Sequence, residues 1–155
     1  MIIEIPGRKS LDIKNIVFDY NGTLATDGLI PEDVGQMLFE LSKEFKLYVL
    51  TADTYGSATK ACENYPITLK TFPKENAGQF KADIVKNLNA NECACIGNGY
   101  NDLGMFDEAA LSVAILGEEG ACTKTLLHAD IAVTDIRHAM NLFLKPSRII
   151  ADLRS

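Results

Sequence analysis

The sequence predicts an α/β fold, a doubly wound parallel sheet of Rossmann-like form in three α/β/α layers. Three observations carry that expectation. Short, continuous apolar runs at Ile16-Val17-Phe18, Leu47-Tyr48-Val49-Leu50, Cys93-Ala94-Cys95-Ile96 and 111–115 have the length and composition of strands buried on both faces. Segments of helical period separate them. Finally, the runs end in polar turns at Asp19, at Thr51-Ala52-Asp53 and at Gly97-Asn98-Gly99-Tyr100-Asn101-Asp102. Ligands in open α/β sheets bind outside the carboxyl ends of the strands, so these turns are placed where chemistry is done.

Taken in order, residues 1–14 alternate loosely around Pro6-Gly7 and predict a short hairpin ahead of the main sheet. The 16–18 strand ends at Asp19, and Gly22 and Thr23 turn the chain sharply, with consecutive backbone N–H groups suited to a concave anion site. A short connection over 24–30 leads to Pro31-Glu32-Asp33, where proline and acids open a helix. Its apolar face holds Val34, Met37, Leu38 and Leu41. After the 47–50 strand, a helix is expected over 54–64 and an edge strand over 67–72. A helix from Gln79 has an apolar side of Phe80, Ile84, Val85 and Leu88. Beyond the 93–96 strand and its turn come strand 111–115, helix 120–127, strand 130–133 and helix 135–143. The tail from 145 carries Ile149-Ile150-Ala151 between Arg148 and Arg154, an apolar patch expected to serve as a homo-oligomer interface.

With 155 residues the chain fits one domain, and 47% hydrophobic and 23% charged residues suit an ordinary globular protein. The net charge of −6, with no basic run, argues against nucleic acid as a partner. No apolar stretch is long enough to span a bilayer, and the first residues lack the pattern of a signal peptide, so a cytoplasmic protein without membrane association is expected. Cys62, Cys93, Cys95 and Cys122 lack zinc-site spacing and read as buried free thiols of a reducing compartment.

Right-handed crossovers bring all strand ends to one edge, so Asp19, Thr51 and the 97–102 turn converge there. A carboxylate nucleophile, a hydroxyl donor, a lysine and an acid-bearing turn suit phosphoryl transfer, which is mostly positioning and charge neutralisation. An aspartyl-phosphate calls for Mg²⁺ to offset repulsion between anions. On chemistry alone Lys74 and Lys86 compete with Lys81; its place ahead of the 93–96 strand favours Lys81. Thr51 could instead cap the following helix. Gly97-x-Gly99 could open a dinucleotide loop, but Asp102 stands where the third glycine belongs. His128 and His138 lie outside the set.

Asp19-Tyr20-Asn21-Gly22-Thr23 resembles the first motif of the haloacid dehalogenase superfamily, Asp-x-Asp-Gly-Thr, whose P-type ATPase branch has Asp-Lys-Thr-Gly-Thr. Thr51, Lys81 and Gly97-Asn98-Gly99-Tyr100-Asn101-Asp102 are similar to its remaining three motifs, the last being Gly-Asp-Gly-x-Asn-Asp, in order from about residue 15 to 140. The resemblance implies Asp19 as nucleophile, Thr51 and Lys81 as phosphate-holding catalytic groups, and Gly22, Ala52 and Asn101 as further phosphate contacts. It implies Mg²⁺ on Asp19, Asn98, Asp102 and the backbone carbonyl of Asn21. The chain most resembles soluble proteins related to the ATPase phosphorylation domain. Seven residues at 24–30 and 27 between Asp53 and Lys81 leave no room for a cap domain.

Two departures matter. Asn21 stands where phosphatases carry their general acid and base, and Asn98 replaces the first acid of the fourth motif; an amide cannot shuttle protons. The expected activity is a Mg²⁺-dependent phosphohydrolase acting on a phosphorylated small molecule or phosphoprotein, slow on poor leaving groups. The alternatives are a phospho-acceptor regulatory domain and a non-catalytic phosphate- or partner-binding descendant. A bacterial receiver places its acceptor two strands after an acidic pair, whereas here the acceptor ends the first main strand.

Overall fold

The computed structural model describes residues 1–53 and 56–155. Six parallel strands form the main sheet: β3 (Asn15–Asp19), β4 (Lys46–Thr51), β5 (Thr68–Thr71), β6 (Cys93–Gly97), β7 (Leu111–Ile115) and β8 (Ile131–Val133). Their order is β5-β4-β3-β6-β7-β8. Ahead of them β1 (Ile2–Ile3) and β2 (Leu11–Asp12) pair antiparallel, the hairpin expected from the alternation before Pro6. Val17 lies opposite Tyr48 on one side and Cys95 on the other. The chain winds outward from β3 through β4 to β5, then crosses back to β6, so the carboxyl ends of β3 and β6 flank the point where the winding reverses.

Every residue of β3, β6 and β7 is buried. The period of two then sorts side chains into two cores. Ile16, Phe18, Val49, Ile96 and Val113 face one layer, which includes α1 (Glu32–Leu41) and α6 (Ile136–Leu144). Val17, Leu50, Cys95 and Ala114 face the other, with Val85 of α3 (Ala77–Asn87) and Met105 and Phe106 of α4 (Leu103–Glu108). β5 is the edge strand, as its alternation predicts, and is only partly buried.

Several boundaries differ from expectation for physical reasons. The second helix, α2, covers Ser57–Cys62, and residues 54–55 of the expected span lie outside the described residues. Helix α3 begins two residues early, after Asn76 turns the chain at φ +60°, a conformation asparagine tolerates. Its buried face is Ala77, Lys81, Ala82 and Val85, with Ile84 and Leu88 packed on the same core; of the expected apolar side only Phe80 points outward, and Lys81 points inward. The helix expected over 120–127 is α5 (Thr123–His128). The apolar tail forms a further helix, α7 (Ser147–Leu153), with Ile149 fully buried and Ile150 and Leu153 packed on the same core. Within that apolar patch Ile149 closes the domain core, Ile150 is half-buried and Ala151 is exposed. No described helix is long and apolar enough to cross a membrane.

Candidate active site

Asp19 is the last residue of β3, buried, at the carboxyl edge of the sheet. After it the chain doubles back: the amides of Leu24 and Ala25 donate to the carbonyls of Asp19 and Tyr20. Gly22 sits at φ +75°, and a Cβ there would lie 2.4 Å from Asn98 Nδ2, so both torsion and space require glycine. Its N–H donates to the Ala25 carbonyl and that of Thr23 to the Tyr20 carbonyl. The anion-binding nest expected from these amides is therefore closed within the loop, and Gly22 shapes the turn without facing the cavity beside Asp19.

Lys81 reaches the site from α3 with its side chain 2% exposed. Its ammonium donates to Asp19 Oδ1 at 2.6 Å, to Asp102 Oδ1 at 2.6 Å and to Asn101 Oδ1 at 3.3 Å, which matches three donors to three acceptors. The rival lysines are elsewhere: Lys86 pairs with Glu108 on the surface, and Lys74 is exposed beside a neighbouring shallow pocket. Burial opposes a charge on Lys81, but the two carboxylates outweigh it and hold its pKa above the ordinary value. Asp19 shows the converse. Burial, reinforced by the charge of Asp102, pushes its carboxyl up to about 7 against the opposing pull of Lys81.

The 97–102 turn is built around the Asp102 carboxylate. Oδ2 accepts from the amides of Asn98 at 2.9 Å and Gly99 at 2.8 Å, across a 3₁₀ turn at Tyr100–Asp102. A Cβ on Gly97 would come within 2.4 Å of that same oxygen, so only glycine leaves room for it. The Asn98 side chain donates to the Gly120 carbonyl at 3.0 Å, while its Oδ1 lies 3.2 Å from the Thr23 hydroxyl. That hydroxyl is also 3.3 Å from Asp19 Oδ2, so its single proton serves two oxygens. Thr125 of α5 adds a hydrogen bond to the Gly99 carbonyl, a tie with no local sequence signal.

A cavity of about 280 Å³ opens beside these groups, lined by Asp19, Asn21, Thr51, Ala52, Lys81, Asn98 and Asn101, with Gly99 and Phe72. The first seven were expected. Phe72 was not, and its only signal is its place just beyond the edge strand. The N-cap of α2 is Gly56 and not Thr51, and the Asp53 carboxylate accepts from the first-turn amide of Ala58 at 2.9 Å. His128 pairs with Asp107 and His138 with Thr134 at the surface, away from the cavity. Cys62, Cys93 and Cys95 are buried, but Cys122 is only half-buried, at the start of α5.

The chain is similar to known proteins. A model of haloacid dehalogenase-like hydrolases matches residues 29–120. An uncharacterized protein of Methanocaldococcus jannaschii is 41% identical over 71 residues, covering 45% of this chain and 76% of that one. Probable phospholipid-transporting ATPase 11 of Arabidopsis thaliana is 30% identical over 112 residues, 72% of this chain but only 8% of the ATPase. Among solved structures, a 3-deoxy-D-manno-octulosonate 8-phosphate phosphatase from Moraxella catarrhalis, in complex with magnesium, phosphate and its sugar acid, superposes with a TM-score of 0.73. The match covers 90% of each chain at 18% identity, a likeness of fold.

Proposed function

The chain belongs to the haloacid dehalogenase-like hydrolases, and from that premise we propose that it is a Mg²⁺-dependent phosphohydrolase working through a phosphoryl group on Asp19. The observation that carries this reading is the buried Asp19–Lys81–Asp102 cluster at the winding reversal of the sheet. A carboxylate oxygen of Asp19 attacks phosphorus, the bond to the leaving oxygen breaks, and that oxygen departs with the electron pair. Water then attacks the same phosphorus, the Asp19 oxygen leaves, and inorganic phosphate is released. Lys81 orients the nucleophile and offsets its charge, while Thr51 and Asn101 face the cavity where phosphoryl oxygens would lie.

The donor set fits a hard divalent cation. Two carboxylates face one ammonium, burial and then the charge of Asp102 raise Asp19, and the surrounding acceptors are all oxygens. Asp19, the side-chain oxygen of Asn98 and the backbone carbonyl of Asn21 would hold the ion. Asp102 adds its charge beside them, its Oδ2 held by two amides and its Oδ1, like Asp19 Oδ1, accepting from Lys81. Among the described residues no three His, Cys, Asp or Glu gather as a metal cluster; the proposed ligands include an asparagine side chain and a backbone carbonyl. Once bound, Mg²⁺ would neutralise phosphoryl charge. The magnesium and phosphate held by the Moraxella phosphatase are in keeping with this chemistry.

A phosphorylated small molecule is the favoured substrate, because the cavity of about 280 Å³ is open but confined. The test is incubation with Mg²⁺ and acetyl phosphate, following phosphate release and the intact mass. Mg²⁺-dependent release with a transient phosphoryl adduct mapped to Asp19, both lost in a folded Asp19→Asn variant, is the expected result. An adduct without release would favour the phospho-acceptor alternative, and neither would favour a non-catalytic binding protein.

A further inference from the structure

We propose that Phe72 is the specificity-determining wall of this site and that the preferred substrates are aryl phosphate monoesters, an inference that rests on the phosphohydrolase reading above. Phe72 follows directly on β5 and lines the same cavity as Asp19 and Lys81. The other described lining residues are polar, charged or no larger than alanine, so among the described residues this ring is the one large apolar surface a leaving group meets. It is held in place. Phe72 lies nearly parallel to Phe80, with ring centroids 6.1 Å apart and an interplanar angle of 13°. Phe80 immediately precedes Lys81 on α3, so one helical turn carries both the prop of the wall and the ammonium on the nucleophile. Phe80 is 40% exposed, and the stacked pair therefore runs from the cavity to the surface. A fixed aromatic wall favours a flat, π-bearing group beyond what apolar area alone supplies.

Asn21 points to the same class independently. It lines the cavity where an acid would protonate the departing oxygen, and its amide cannot. An aliphatic alkoxide is a poor leaving group without that proton. A phenol ionises near a pKa of about 10, as tyrosine does, far below an aliphatic alcohol, and so departs more readily without a proton. In the first step the phosphorus–aryl oxygen bond breaks as Asp19 bonds to phosphorus. The phenolate keeps the electron pair and takes its proton from solvent.

The test compares kcat/KM for phenyl phosphate and acetyl phosphate, both good leaving groups of which only one carries a ring, in the wild type and in Phe72→Ala, Phe72→Leu and Phe72→Tyr. The phenyl-to-acetyl ratio should fall about tenfold in Phe72→Ala, fall less in Phe72→Leu, and be retained in Phe72→Tyr. An unchanged ratio, or parallel losses on both substrates, overturns the inference while leaving the phosphohydrolase reading standing. Wild-type protein inert on both substrates overturns the reading itself. A phosphotyrosyl peptide forms a further arm: turnover at or above that of phenyl phosphate assigns the aryl group to a polypeptide, and turnover well below it assigns a free small molecule.

Discussion

At the amino-terminal ends of β6, β7 and β8 a cleft of about 600 Å³ runs between the β1–β2 hairpin and the Asn89–Glu92 turn. The cavity at the carboxyl ends, beside Asp19, has less than half that volume, about 280 Å³. The charges lining the larger cleft lie largely in solvent: Arg8, Lys9, Asp12 and Asp130 are exposed, and Glu92, 25% exposed, pairs with the exposed Lys14 beside the cleft. Those of the smaller cavity are buried, with Lys81 2% and Asp102 0% exposed. Exposed pairs contribute little, whereas a buried cluster survives only where hydrogen bonds offset the loss of water. Among the described residues no buried side-chain nitrogen or oxygen lacks a partner, so that condition is met. Buried, satisfied charge rather than volume marks the reactive edge.

The contrast is broken most severely by Lys81→Ala, which leaves two carboxylates without their cation. It should cost about 3–5 kcal/mol of stability in urea titration and abolish phosphate-mimic binding. Lys14→Ala at the opposite edge should leave the urea midpoint unchanged, and Lys74→Ala should leave most mimic binding intact. Equal losses of binding for Lys74 and Lys81 would refute the assignment of the phosphate-holding lysine.

Asn21→Asp sharpens the contrast by supplying the missing proton carrier to the reactive edge. Hydrolysis of alkyl phosphates should rise by about 10²–10⁴-fold, and the phosphoryl adduct should become shorter-lived. Freshly prepared wild-type protein that matches the variant on alkyl esters would show that another group delivers the proton.

The buried charge should also be visible in a pH series on metal-free protein. Asp19 is raised from 3.8 to about 7, so between those values the folded state holds more protons than the unfolded one. Its contribution is full below about pH 4 and is lost as pH rises through 7, so the melting temperature should fall across that window. Asp19→Asn should flatten the fall. A wild-type melting temperature that rises from pH 4 to 7, and that the variant leaves unchanged, would contradict the raised carboxyl of buried Asp19.

Asn98→Asp carries the smallest expected effect because two consequences oppose each other. A carboxylate should tighten Mg²⁺ binding in calorimetry, but the donor to the Gly120 carbonyl disappears, costing about 1 kcal/mol of metal-free stability. Unchanged or weaker binding would place Asn98 outside the metal shell.

The sequence alone determined the sheet and the convergence. Ile16 to Phe18 announces a strand buried on both faces, and the run's end at Asp19 locates the reactive edge because parallel strands share one direction. Gly22 and Gly97 were legible as turn residues, although the contacts that demand them, with Asn98 and Asp102, lie 75 or more positions away in one case and across a 3₁₀ turn in the other. What periodicity could not decide was that on α3 Lys81 points inward and Phe80 outward, while Ile84, Val85 and Leu88 meet the core as expected. A lysine on a helix reads as solvated, and Lys81 is buried only because carboxylates 62 positions before it and 21 after it are folded against it. The same reason hid the engagement of both Asp102 oxygens, the closure of the Gly22 and Thr23 amides, the burial of Ile149 and the wall at Phe72. Each depends on which groups the completed fold brings within hydrogen-bonding or van der Waals distance, and local pattern carries no record of that.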